Sequence, residues 1–321
     1  MAAHHEVHLE SYVVKKLVEN GWVEGSNSHY DPVRALYPED VVGWIKSSQP
    51  EAWEKIDRLN GGDAEKAVLD RLDKALATKS GGTMKVLRQG FDMAGCGNIA
   101  MGQAAPEDER NSKEVEKYQN NILRVVRQLK YCPTREWAID LGFFINGIPV
   151  ATVELKTDFT QAIEDAIWQY KRDRLPQDPQ TKRKEPLLTF KRGAVVHFAM
   201  SDSEVAMTTH LNGDKTFFLP FNKGNDGHAG NKPRNDGEYP VAYFWEEICQ
   251  RGAWLRIFQS FVYVETKDKV DKLGMPYKAE TLIFPRYHQF AAVNSMIADA
   301  KALGPGQQYL CEHSAGSGKT S

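Results

Sequence analysis

A mixed α/β sheet flanked by helices, with a second domain starting near the C-terminus, is the fold class that this 321-residue sequence predicts. Three observations predict it. From Trp137 the residues alternate, through Ile139, Leu141, Phe143 and Ile145, an Asn146-Gly147 turn and then Val150 to Leu155, which is the pattern of a β-hairpin. A helical stripe of Ala162, Ile163, Ala166, Ile167 and Tyr170 follows at once, with Thr157 or Asp158 as its N-cap. Two further strands, about 194–200 and 204–209, are joined by the polar turn Ser201-Asp-Ser-Glu204. With 41% hydrophobic residues the chain can build a core in each of about two domains.

The remaining elements follow in order. Leu9, Tyr12, Val13 and Leu17 recur at helical spacing and Gly21 stands at a C-cap position, so residues 6–20 are expected to form an amphipathic helix, with Glu10 beside its apolar stripe. After the Pro- and Asp-dotted segment 30–40, helices are expected over 41–47, 51–59 and 63–78. Residues 91–111, with Gly95, Gly97, Gly102 and Pro106, read as a long loop. Residues 113–130 read as a helix through Val115, Ile122, Val125, Val126 and Leu129. The Gly-, Asn- and Asp-rich stretch 222–240 predicts a mobile loop, and the charge run Lys267 to Lys272 predicts an interdomain linker.

Charge and cysteine content narrow the function classes. Forty-one Lys and Arg against forty-three Asp and Glu give a net charge of −2, so no global positive field marks a nucleic-acid partner, and any such partner must meet a local patch. Cys96, Cys132, Cys249 and Cys311 are scattered without a C-x-x-C pair, against both a disulfide framework and a zinc site. The apolar run Gly193 to Met200 is far shorter than the roughly 20 residues of a spanning helix. No membrane and a reducing cytoplasm are the expectation.

Asp140, Glu154 and Lys156 form the pattern D-x(13)-E-x-K. The bare string recurs in part at Glu265-Thr-Lys267, but Glu265 has no Asp in the preceding stretch, whereas Glu154 and Asp140 occupy the two strands of one hairpin. A three-residue loop with Gly147 left-handed sets Asp140 directly opposite Glu154, with Lys156 on the same face; a strict two-residue turn slips the register and spoils the arrangement. Two converging carboxylates suit Mg²⁺, and a lysine beside them can orient water and offset transition-state charge. An ordinary surface salt bridge accounts for the same three residues. Gln169, on the helix beside Ala162 and Ala166, can point back toward the site or stand solvated. Lys171, Arg172, Arg174, Lys182, Arg183, Lys184, Lys191 and Arg192 outnumber Asp173, Asp178 and Glu185, a stripe suited to a phosphate backbone or simply to solvent.

Near the C-terminus, Tyr309-Leu310-Cys311-Glu312-His313 reads as a short strand, and Ser314-Ala-Gly316-Ser-Gly318-Lys319-Thr320 follows as a phosphate-binding loop. Its glycines let backbone N–H groups wrap phosphate, Lys319 reaches the outer phosphates, and Thr320 offers a Mg²⁺ ligand. Upstream, Phe284-Pro-Arg286-Tyr-His-Gln289 opens a helix carrying Ala292, Met296 and Ala300, where an aromatic and a glutamine can read an adenine edge. Ser321 comes before the helix such a loop needs, so a fragment cut inside an ATPase domain is expected.

The combination resembles the N-terminal part of the endonuclease and motor subunit of type I restriction enzymes, the HsdR family. Ile139-Asp140, Asn146-Gly147 and Val153-Glu154-Leu155-Lys156 resemble its PD-(D/E)xK nuclease core, with Gln169 following; Phe284 to Gln289 resembles its Q-motif, and His313 to Thr320 its helicase motif I. Leu9-Glu10-Ser-Tyr12, Glu19 to Trp22 and Ser48 to Trp53 agree as well. One departure is that the family often has a Tyr four residues after the glutamine, where this sequence has Asp173 and carries its tyrosine at Tyr170.

The resemblance implies a PD-(D/E)xK nuclease-like sheet flanked by helices over 1–262, a linker over 263–280 and the truncated start of a RecA-like helicase domain over 281–321. It implies a Mg²⁺-dependent double-strand DNA endonuclease joined to an ATP-driven translocase, assembled with methyltransferase and specificity subunits. Asp140, Glu154 and the Leu155 carbonyl would hold the metal, with Glu10 as a further carboxylate. Lys156 would position water and Gln169 would support the site. Arg286, Gln289, Gly316, Gly318, Lys319 and Thr320 would bind ATP. The alternatives are another helicase–nuclease fusion and a catalytically silent docking domain of a DNA motor.

Overall fold

The computed structural model describes residues 2–106, 110–157, 162–271 and 273–312. The chain divides into two compact units, Met1–Phe284 and Pro285–Ser321.

In the first unit, helix α1 (Ala2–Glu19) ends at Gly21, whose φ of +85° is open to glycine, and strand β1 (Val23–Gly25) follows. Prolines at the first turn start α2 (Pro38–Ser48) and α3 (Pro50–Asn60), and α4 (Ala64–Ala77) buries Val68, Leu72 and Leu76 at helical spacing. Helix α5 (Thr83–Gln89) leads into a small antiparallel hairpin, β2 (Phe91–Met93) and β3 (Gly97–Ile99), where the glycine-dotted sequence predicts only loop.

The segment 113–130 divides where the sequence predicts one helix: α6 (Ser112–Gln119) stops at Asn120, and β4 (Leu123–Lys130) follows. Leu123, Arg124, Val125 and Val126 are all buried, so β4 is covered on both faces there and shows no alternation. A continuous apolar run of this length fits helical spacing equally well. Strands β5 (Ala138–Ile145) and β6 (Ile148–Leu155), helix α7 (Ile163–Arg172), then β7 (Val196–Met200), β8 (Val205–Thr208) and β9 (Leu219–Pro220) complete the main sheet. Its seven strands run in the order β1-β4-β5-β6-β7-β8-β9, with β1–β4 and β6–β7 parallel and the other pairs antiparallel. Every residue of β6 and β7 is buried, which places the β6 carboxylate inside the molecule. Trp22 packs edge to face on Phe143 and Trp254 in one part of the core, with Phe143 and Trp254 tilted against each other and Trp254 supplied by α8 (Arg251–Arg256).

Residues 222–240 form no helix or strand, and Asn231 ties them to the sheet through the Ser203 carbonyl. Residues 267–270 of the charge run expected to be a linker lie instead in an antiparallel hairpin, β10 (Tyr263–Val270) and β11 (Pro276–Ile283): Val264 and Leu282, Thr266 and Glu280 face each other across a ladder that the charges leave intact. Helix α7 starts at Ile163 with Ala162 as N-cap, not at Thr157 or Asp158; residue 158 lies outside the described residues.

In the second unit, α9 (Tyr287–Leu303) ends at Gly304, and the Gln289 carboxamide oxygen accepts the Arg286 N–H at 2.9 Å, a capping contact. Residues 307–312 are not a strand; a strand needs a hydrogen-bonding neighbour, and no described segment pairs with them. The phosphate-loop residues Gly316, Gly318, Lys319 and Thr320 lie outside the described residues.

The β5–β6 turn differs from the expected three-residue loop and explains how the site forms. Ile145 pairs with Ile148, so the loop is two residues, with φ of +50° at Asn146 and +80° at Gly147, a type I′ turn. Phe144 pairs with Pro149 but Phe143 with Ala151, so Val150 is an extra residue and the register moves by one. The bulge returns the strands to the register that brings Leu141 opposite Val153. The Asn146 carboxamide locks the tip, accepting the Ile122 N–H at 2.7 Å and donating to the Met101 carbonyl at 3.0 Å and the Asn121 side chain at 2.9 Å. A Cβ at Gly147 would lie 2.5 Å from the Tyr37 carbonyl oxygen and 2.8 Å from the Val41 nitrogen. Gly147→Ala is therefore expected to cost about 2–3 kcal/mol in urea unfolding; a loss below about 0.5 kcal/mol would contradict this account of the turn.

Candidate active site

Past Leu141 and Val153 the β5–β6 pairing ends, and Asp140 and Glu154 are the next residues on each strand. Where the ladder stops, the Asp140 side chain takes over: its Oδ2 accepts the Leu155 N–H at 2.7 Å. The β6–β7 ladder continues one step further, with the Lys156 N–H on the Met200 carbonyl at 2.9 Å. The hairpin thus brings Asp140, Glu154 and Lys156 to one end of the strands.

Glu154 is fully buried. Burial pushes its carboxyl well above the usual range and the Asp140 charge adds to this, while Arg174 and Lys156 act in the opposite sense, so all three charges act on one carboxylate. Arg174 Nε donates to Glu154 Oε1 at 2.5 Å; Oε2 is buried and has no hydrogen-bond partner. Gln169, half-buried on α7, likewise has its Oε1 buried and unpartnered. Buried oxygens are rarely left so, and the helix that follows β6 thus offers a second unpartnered oxygen as a candidate donor for a hard cation. No group of three or more His, Cys, Asp or Glu side chains is arranged for a metal ion among the described residues. The candidate donors here are oxygens, with no His or Cys among them, a chemistry that suits a hard cation rather than zinc.

Glu10, on α1, is buried and is connected to Asp140 through β4. Arg127 Nε donates to its Oε1 at 2.7 Å, and Gln128 Nε2 donates both to Glu10 Oε2 and, at 3.2 Å, to Asp140 Oδ1. Gln128 sits on β4 opposite Asp140 with φ of +45°, at a step the β4–β5 ladder skips. Its one side-chain amide nitrogen links the α1 carboxylate to Asp140.

Beneath the carboxylates a buried chain runs from the Tyr170 hydroxyl to Thr152 Oγ1 at 2.8 Å and on to His197 Nδ1 at 2.7 Å. Thr152 and Glu154 share a face of β6, and Tyr170 adjoins Gln169. The basic stripe is partly consumed: Arg174 pairs with Glu154, Lys191 with Glu280 and Arg192 with Asp73, while Arg172, Lys182, Arg183 and Lys184 are exposed. The second E-x-K, Glu265 and Lys267, pairs with itself at 2.9 Å on the exposed β10.

Sequence reasoning did not assign Arg174, Gln128 or Arg127 to the site. Arg174 is legible only as one charge in a basic run, since its partner lies twenty residues earlier across a helix.

The model of the type I restriction enzyme R protein N terminus matches residues 38–216, more than half of the chain. The match includes Asp140, Glu154, Lys156, Gln169 and Arg174 and leaves out Glu10 and Gln289. No curated protein matches the chain.

Proposed function

The chain belongs to the family of the type I restriction enzyme R protein N terminus, and from that premise we propose that it is the Mg²⁺-dependent DNA endonuclease module of an ATP-dependent type I restriction-modification complex. The observation that carries this reading is the buried Glu154, with one oxygen held by Arg174 and the other unpartnered, beside Asp140 at the end of a hairpin. Burying the Glu154 carboxylate beside the half-buried Asp140 costs stability unless a cation offsets them, and Arg174 faces only one oxygen of Glu154.

In this reading Asp140, Glu154 and the Leu155 carbonyl hold Mg²⁺, which when bound stabilises charge on the scissile phosphate. Lys156 orients the attacking water and Gln169 supports the site. The exposed Arg172, Lys182, Arg183 and Lys184 meet the phosphate backbone of double-stranded DNA. Arg286, Gln289 and the loop from Gly316 to Thr320 bind ATP for a motor, and methyltransferase and specificity subunits choose the DNA site.

Metal removal is the direct test. Plasmid linearisation by the assembled complex is expected to stop in EDTA, to return with added Mg²⁺, and to stay absent in Asp140→Asn at any Mg²⁺ concentration. Cutting that persists in EDTA would contradict the proposal, and undiminished cutting by Asp140→Asn would remove this hairpin as its source.

A further inference from the structure

Arg174 lies just past the end of α7, with its backbone N–H on the Gln169 carbonyl at 3.1 Å and its side chain on Glu154 at 2.5 Å. One residue therefore ties the helix that carries Gln169 to the strand that carries Glu154. Its side chain is only 11% exposed and Glu154 is wholly buried, so the contact is shielded from the solvent that weakens surface pairs. Resting on the metal-site reading above, we propose that Arg174 is a positioning residue: it holds Glu154 Oε1 and so presents Oε2 as the oxygen for the metal ion.

Three features support this. The guanidinium is permanently charged and rigid, so its Nε–H holds Oε1 in a fixed direction while offsetting the carboxylate's charge. Only one carboxylate oxygen is engaged, leaving the other buried without a partner. The same arginine anchors the helix end from which Gln169 offers a second unpartnered oxygen, so the two donors are held relative to each other. Partners of this kind, which orient a ligand without touching the ion, commonly contribute 10- to 100-fold in metal affinity.

The test is calorimetric titration of the full chain with Mn²⁺, which takes the same oxygen ligands. Wild type is expected to bind, Asp140→Asn and Glu154→Gln to lose most of the binding, and Arg174→Met to weaken it about 10- to 100-fold. Because Arg174→Met strands a buried carboxylate, Arg174→Lys is measured beside it: charge is kept but the planar fork is lost, so an intermediate affinity is expected while the metal-free melting temperature stays near wild type. Wild-type affinity in Arg174→Lys together with wild-type or tighter affinity in Arg174→Met would overturn the positioning role and leave the metal site standing. Mn²⁺ binding insensitive to Asp140→Asn and Glu154→Gln would instead remove the metal site, and the role of Arg174 with it.

Discussion

Glu154→Gln is expected to lower DNA cutting by the assembled complex by about 10²- to 10³-fold or more. The substitution keeps the shape of a fully buried side chain and its capacity to accept from Arg174, while removing the charge that a cation would meet. Losing a carboxylate ligand weakens the hold on the cation that would offset negative charge on the phosphate, a loss of transition-state stabilisation of several kcal/mol. Lys156→Ala is expected to act comparably, since the Lys156 charge already acts on Glu154 and no other lysine stands in the 152–157 segment. Single-turnover rates on a supercoiled plasmid read both effects. A loss below about 5-fold in Glu154→Gln would count against a metal-holding role.

The second large effect is on acid stability. His197 is buried within the sheet against Thr152 and Tyr170, and burial pulls its value down to about 3, with the half-buried His210 adding to the shift. An unfolded histidine titrates near 6.5. Between these values the unfolded chain takes up a proton that the folded chain excludes. Stability is therefore fully present above about pH 6.5 and falls as pH drops toward 3, by about 1.4 kcal/mol per unit and on the order of 4–5 kcal/mol in all. His197→Gln, which can still hydrogen-bond Thr152, is expected to flatten urea-unfolding stability between pH 6.5 and 4.5 by about 2–3 kcal/mol relative to wild type. Asp40, Glu154 and Glu185 are raised by burial and respond in the opposite sense, but they are common to both proteins. Parallel stability curves for the two proteins would contradict a neutral buried His197.

The hairpin, its following helix and the strands about 194–200 and 204–209 are legible in the sequence because each is bounded by turn residues and has one consistent period. The turn type is not, because two faults cancel: a two-residue loop slips the register and a bulge at Val150 restores it. Pro149 is the signal of that bulge, since proline inside a central strand is tolerated where the ladder is irregular. Strand β4 is illegible for another reason. It is buried on both faces, so Leu123, Val125, Val126 and Leu129 fit a helical stripe as well as a strand. The charges of β10 suggest a linker because the hairpin is exposed on most of its length, which frees its sequence from apolar patterning. Among site residues, Asp140, Glu154 and Lys156 share a local register and can be read from spacing, whereas Arg174 and Gln128 meet the carboxylates only through the packing of α7 and β4.

The central claim is that the carboxylates of β5 and β6 cut DNA while a separate nucleotide site drives movement. The most direct measurement records plasmid cutting and ATP hydrolysis on the same assembled complexes, wild type against Glu154→Gln and Lys156→Ala. The account predicts cutting abolished in both variants with ATP hydrolysis near wild type. Unchanged cutting in both would contradict it and favour a catalytically silent docking domain.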